Sequence, residues 1–157
     1  MRFHPWVFSG AIRSIELDAD YPHAQPQEGE IVKVVDCKGK TLGVGHYQIG
    51  SIAVRILEFG VEELPKDFWK TRIAAAYGVR ESLGLVTEEN NTYRLIHGEG
   101  DFLPGLIVDV YADTAVIQAH SIGMHCHRME IAEAIVQVVP QVDKVYYKSD
   151  DTLPHKA

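Results

Sequence analysis

The chain has 157 residues, with 15 Lys+Arg against 22 Asp+Glu and a formal net charge of −7. Its 46% hydrophobic and 24% charged residues exclude a disordered chain, because enough apolar surface is present to offset the entropy of ordering, and the length permits one medium domain or two small ones. No apolar run approaches the ~18 residues that cross a bilayer; the N-terminus through Trp6 lacks an apolar h-region and a cleavage site; and neither the part up to Phe68 (7 Lys+Arg against 10 Asp+Glu) nor the remainder (8 against 12) is basic, so a cytoplasmic protein with no membrane contact and at most local nucleic-acid contacts is expected.

Taken in chain order, the first region reads as a small all-β unit. Residues 18–28, with Pro22 and Pro26, form a surface loop. Ile31-Val32-Lys33-Val34-Val35 is β-branched and strand-like. Asp36-Cys37-Lys38-Gly39 is a turn, in which the Asp side chain bonds the backbone and Gly accepts a positive φ. Thr41 to Tyr47 forms the return strand, with Gly43 and Gly45 marking bulges or close approaches. Ile52 to Leu57 is a further strand. Short strands at this spacing predict a small barrel.

A helix follows, capped at Asp67, with Trp69, Ile73, Ala76, Tyr77 and Leu83 at helical spacing and Gly84 just past its end. Glu88 to Asn91 is a polar turn. Tyr93 to His97 is a short strand, Leu106 to Tyr111 a second, and Thr114 to His120 a return across an Ala112-Asp113 turn. Met124 to Val139 reads as one amphipathic helix, stopped by Pro140. Val142 to Lys148 is a last strand. The fold class expected is therefore mixed: a small β-barrel followed by an α+β region.

Several groups of residues carry candidate chemistry. Gly98 to Gly105 is the densest turn signal. Its Glu99 and Asp101 repel phosphate, it lacks GK[ST], and a strand follows it, so it reads as a wide connection or an acidic contact and not as a phosphate cradle. His97, His120, His125, Cys126 and His127 hold metal-ligand atoms. On a helix start, however, His125 and His127 point to different sides, and no established ligand spacing is present, so no metal site is assigned. Cys37 and Cys126 have no CxxC spacing and no clear activating setting, and are read as buried or idle thiols. In His4-Pro5-Trp6-Val7-Phe8-Ser9-Gly10, Trp6 and Phe8 can stack a base while Arg2 or Arg13 holds phosphate; the same aromatics can equally anchor a core.

These residues carry a family resemblance. His4-Pro5-Trp6-Val7-Phe8-Ser9-Gly10-Ala11-Ile12 is similar to the opening motif of the bacterial SAM-dependent RNA (cytosine-5) methyltransferases that act on 23S ribosomal RNA, which begin with a PUA domain, a small RNA-binding β-barrel. Val35-Asp36, Lys38-Gly39, Leu42 to Tyr47 and Ser51 to Leu57 resemble the rest of that barrel. Phe68 to Ile73 resembles the start of the linking helix. Tyr93 to Asp109, including His97-Gly98-Glu99-Gly100-Asp101-Phe102-Leu103-Pro104-Gly105, is the most specific match and resembles the entry to the family's central α+β domain.

The resemblance implies a PUA-like barrel over 1–66, a linking helix and turn over 67–92, and a partial, incomplete central α+β domain over 93–157. Against full members, an early basic stretch and strand, the remaining strands of the central domain, the Rossmann-like catalytic domain, the nucleophilic cysteine and the Pro-Pro motif are expected to be missing. Neither cysteine here takes the nucleophile's role, so no catalytic and no cofactor-binding residue is expected in this chain. S-adenosylmethionine is expected for the full-length protein. The implied partner is large-subunit rRNA, with Arg2, His4, Trp6, Arg13 and Tyr47 as its contacts; a homodimer stays open. Two further readings remain: a metal hydrolase using the histidines with Glu99, Asp101 or Asp109, and a non-catalytic protein-interaction module.

Overall fold

The computed structural model describes residues 4–149 and 151–154. The chain divides into two compact units, Met1–Leu64 and Pro65–Ala157. Among the described residues no helix is long and apolar enough to cross a membrane.

The first unit is one four-stranded antiparallel sheet in the order β1-β4-β3-β2, with β1 at Trp6–Phe8, β2 at Ile31–Val35, β3 at Thr41–Tyr47 and β4 at Ile52–Phe59. The β2–β3 turn forms as its residues dictate: the Asp36 carboxylate accepts the Lys38 and Lys40 backbone N–H groups at 2.8 and 2.9 Å, and Gly39 has φ +82°. Gly45 sits at a register shift where β4 comes very close. A Cβ there would overlap the Arg55 carbonyl and stand 2.7 Å from the Ile56 Cα, so only glycine fits. Ala53, Val54 and Ile56 of β4 form the core, with Val7, Ile12, Val32 and Val34 packed against them.

Two features depart from the sequence reading. Strand β1 is too short to show a periodicity of its own. It is created by pairing with β4, including bonds from Ile56 N–H to Pro5 O at 2.7 Å and from Ser9 N–H to Ser51 O at 2.8 Å. The expected barrel is an open sheet among the described residues: β1 and β2 lie at opposite edges with no ladder between them, and residues 12–30 contain no helix or strand that could bridge them.

The second unit packs helices on one face of a four-stranded sheet in the order β5-β6-β7-β8, with β5 at Thr92–His97, β6 at Leu106–Tyr111, β7 at Thr114–Ala119 and β8 at Lys144–Tyr147. The first three strands are antiparallel. β8 runs parallel to β7, which requires a crossover through helices α2 (Ile122–Cys126) and α3 (Arg128–Val138). Helix α1 (Phe68–Ser82) packs on α3 and β5 inside this unit, although the sequence suggested a separate linking element. It ends in a Schellman motif: Leu85 N–H bonds Arg80 O, Gly84 N–H bonds Glu81 O, and Gly84 takes φ +72°. Leu83, read as part of the apolar stripe, is exposed.

The single helix expected over Met124 to Val139 is broken at His127. The side chains of His127 and Arg128 take the Gly123 and His125 carbonyls at 3.0 and 2.9 Å, closing α2 before α3 begins. Leu95, Ile96, Leu106, Val108, Val110 and Ile117 line the buried face of the sheet under the helices. A bulge between Arg94 and Ile96 keeps both Leu95 and Ile96 inside and turns His97 outward.

Candidate nucleic-acid interface

Along the edge strand β1 the side chains alternate. Val7 points into the core, while His4, Trp6 and Phe8 share the other face. The rings meet edge to face: His4 and Trp6 at 5.1 Å and 81°, Trp6 and Phe8 at 6.4 Å and 84°. His4 Nδ1 accepts the Trp6 backbone N–H at 3.1 Å. That bond requires a neutral ring with its proton on Nε2, leaving an Nε2–H donor on an exposed side chain. Phe8 is 51% exposed and Trp6 is half-buried, so the row reads as a surface aromatic strip and not as a core anchor.

Of the residues expected at an RNA contact, the structure therefore brings together His4 and Trp6, with Phe8, the other aromatic read as able to stack a base, beside them. Arg13 is exposed in irregular chain beyond the turn at Ser9–Ala11. Arg2 lies outside the described residues. Tyr47 is built differently: only 9% exposed, with its backbone bonded to Gly29 and Glu30, it is a packed sheet residue that offers little surface to a ligand. Arg55, which the sequence reading did not single out, stands opposite Trp6 in register.

The Gly98 to Gly105 loop is held from within. Gly98, Phe102 and Gly105 have φ of +52°, +59° and +83°. The Asp101 carboxylate takes both terminal nitrogens of Arg80 at 2.7 Å each, and also accepts the His97 N–H at 2.6 Å. Asp101 thus locks the loop to helix α1. Arg72 lies over the rings of Phe68 and Phe102, at 5.3 and 5.6 Å from their centres.

The candidate metal donors are dispersed. His125 Nδ1 meets the Tyr147 hydroxyl at 2.7 Å, and burial, with the Arg128 charge second, pushes its pKa below the ordinary histidine value. His127 turns to Gly123 O and the Trp69 ring. Asp109 is paired with Arg94 at 2.8 Å. Among the described residues no group of three His, Cys, Asp or Glu side chains could hold an ion. Of the two cysteines, read as buried or idle thiols, neither is buried: Cys37 is exposed in the hairpin turn and Cys126 at the end of α2, and neither forms a disulfide.

Residues 1–59 match a family described as a PUA-like domain. Ribosomal RNA large subunit methyltransferase I of Tolumonas auensis is 35% identical over 152 residues, covering 96% of this chain and 36% of the relative. The same protein of Shewanella frigidimarina is 39% identical over 152 residues, at 95% and 36%. Among solved structures, a Streptococcus mutans protein assigned to the SAM-dependent methyltransferases aligns at a TM-score of 0.68 and 21% identity, covering 83% of this chain and 34% of that one. A methyltransferase-type protein crystallised with SAH aligns at 0.68 and 19%. At such identities these two structures establish the shared fold. The chain spans about 36% of the length of the curated relatives it matches. Over nearly its whole length it is similar to part of the ribosomal RNA large subunit methyltransferase I proteins, with the PUA-like match in its first 59 residues.

Proposed function

We propose that this chain is the RNA-docking portion of a ribosomal RNA methyltransferase. In the full-length protein the reaction would be methyl transfer from S-adenosylmethionine to cytosine C5 of 23S rRNA, through a covalent cysteine adduct on a flipped-out base. The cofactor and the nucleophile would be supplied by the part of the relatives that this chain does not span. The two units would be used as a PUA-type docking module over 1–66 and a positioning domain beyond it.

The observation that carries the reading is the aromatic row on β1, with His4 and Phe8 exposed and Trp6 half-buried, lying within the segment that matches PUA-like domains. Stacking on aromatic faces is tolerant of sequence, and with a net charge of −7 the phosphate contacts would be local. Trp6 and Phe8 would stack bases, the His4 Nε2–H would donate to a base edge or phosphate, and Arg13, with Arg2 from beyond the described residues, would take phosphate.

Titration of labelled rRNA fragments tests this. Binding that weakens as salt rises, and that falls roughly tenfold on Trp6→Ala, is the expected result. Affinity equal to that of an unrelated acidic protein, or no salt dependence, overturns the docking role. Calorimetry with S-adenosylmethionine tests the division of labour: tight stoichiometric binding by this chain overturns it.

A further inference from the structure

The two edges of the second unit's sheet are finished differently. At β5 side chains occupy the backbone: Arg80 Nε donates to Arg94 O at 3.1 Å, and the Asp101 carboxylate accepts the His97 N–H at 2.6 Å. At β8 the edge is open. Lys144 and Lys148 donate to Asp113 O and Ile117 O. The even-numbered residues therefore turn their backbone groups to β7, and Val145 and Tyr147 turn theirs outward. No strand pairs with that side among the described residues. β8 has no proline and no bulge, and its one lysine is drawn to Asp113 at 2.7 Å, so the usual guards of a sheet edge are missing.

Beside this edge, α3 carries a second apolar stripe. Ile131, Ala134 and Ile135 are buried inside the unit. Met129, Ala132 and Val136, at i, i+3 and i+7, stand on another side of the helix. They line an open groove with Val145, flanked by Glu133 and Gln137. Met129 is 70% and Val136 45% exposed. The helix layer and the sheet layer thus end at the same place, one on apolar side chains and the other on unpaired backbone.

We propose that this double edge is where two copies of the chain associate, β8 pairing antiparallel with β8 about a twofold axis perpendicular to the sheet. The inference goes beyond the RNA-docking reading and does not depend on it.

The geometry selects the occupant. Outward N–H and C=O groups call for a strand. A lone peptide strand would fill only the sheet layer and leave Met129 and Val136 in water. The partner must bring a strand and a helix at the same layer separation. A second copy does so by construction, laying α3 against α3, and the patch is then its own complement. β8 also has the side-chain pattern such an added strand needs. Val145 and Tyr147 are half-buried, Lys144 and Tyr146 exposed, so a second β8 continues both faces of the sheet in kind. Met129 and Val136 would form an apolar centre of the kind that interfaces favour. Glu133 is the opposing term: it lies midway along the stripe and would face its own counterpart near the axis, a like-charge contact that weakens the pair.

Sedimentation of the whole chain under reducing conditions, which exclude disulfides through the exposed Cys37 and Cys126, tests the proposal. A monomer–dimer equilibrium is expected at about 100 μM or below. Met129→Glu and Val136→Glu, both at exposed positions, should each weaken it about tenfold or more, and Glu133→Gln should tighten it several-fold. Val145→Pro removes one outward N–H and should abolish the dimer. In case the proline also loosens the strand, amide exchange in the unaltered chain reads the same ladder. Protection of the Val145 and Tyr147 N–H groups should rise with protein concentration, while that of Lys148, already bonded to Ile117 O, stays constant. A dimer untouched by both glutamate variants, or exchange at Val145 and Tyr147 that is independent of concentration, overturns the proposal. A chain still monomeric at about 100 μM overturns it too, and leaves the edge to a strand from a different polypeptide.

Discussion

Replacing Asp101 by Ala removes the acceptor of three bonds at once: two from Arg80 at 2.7 Å and one from the His97 N–H at 2.6 Å. The pair is well shielded, with side-chain exposures of 13% for Arg80 and 8% for Asp101. The guanidinium would keep only its Nε bond to Arg94 O, at 3.1 Å. Breaking a buried pair from one side strands a charge and costs about 3–5 kcal/mol, a large share of the ~5–15 kcal/mol that holds a domain folded. With a urea m-value near 2 kcal/mol/M, the midpoint of the second unit should fall by about 2 M, read from Trp69 fluorescence in a Trp6→Phe background. Asp101→Asn keeps the shape and one acceptor oxygen, so its loss should be smaller. The double variant Arg80→Met, Asp101→Leu should recover much of the loss, because no charge is left buried. Amide exchange at His97 should speed up in Asp101→Ala. A midpoint shift below about 0.3 M would refute the claim that this pair holds the loop to the helix.

Gly45→Ala should destabilise the first unit by about 1–3 kcal/mol or more, since the new methyl meets β4 backbone that cannot rotate away; chemical denaturation of the variant checks this. Ala112→Gly should stabilise the second unit by about 1 kcal/mol, because Ala112 is held at φ +55° in the β6–β7 turn, and should raise the melting midpoint by a few degrees. Burial pushes the Tyr93 phenol up to about 12, against about 10 when unfolded. The folded form then holds more protons between these values, so stability should fall as pH rises from about 10 to about 12. Tyr93→Phe, which gives up the bond from Gln141, should flatten that alkaline limb; an unchanged limb would reject Tyr93 as its source.

The elements legible in the sequence are those set by local chemistry. The Asp36-Gly39 turn and the glycine end of α1 form where their residue types demand, because each needs only partners a few residues away, and the β-branched run Ile31 to Val35 pairs across that turn with the next strand, Thr41 to His46. The breadth of the Gly98 to Gly105 connection is equally local, resting on glycine's tolerance of positive φ. The strand at Trp6–Phe8 was not legible: three residues show no period, and their extended form is imposed by β4, more than forty residues away. The break at His127 was hidden for a related reason, since side-chain bonds to carbonyls cut a pattern that apolar spacing alone reads as continuous.

The candidate site divides in the same way. The sequence by itself determined that aromatics cluster near the N-terminus and that the chain carries no dense basic patch, because composition and neighbour identity are fixed by order alone. Only the tertiary structure decided that His4, Trp6 and Phe8 share one face of β1, with Trp6 half-buried, while Tyr47 is packed away, and that Asp101 bonds Arg80. Only the pairing of β8 with β7 set the Val145 side chain on the helix side of the sheet and its backbone groups outward. The side of a sheet on which a residue stands depends on how distant strands pair, and a one-residue slip would reverse it.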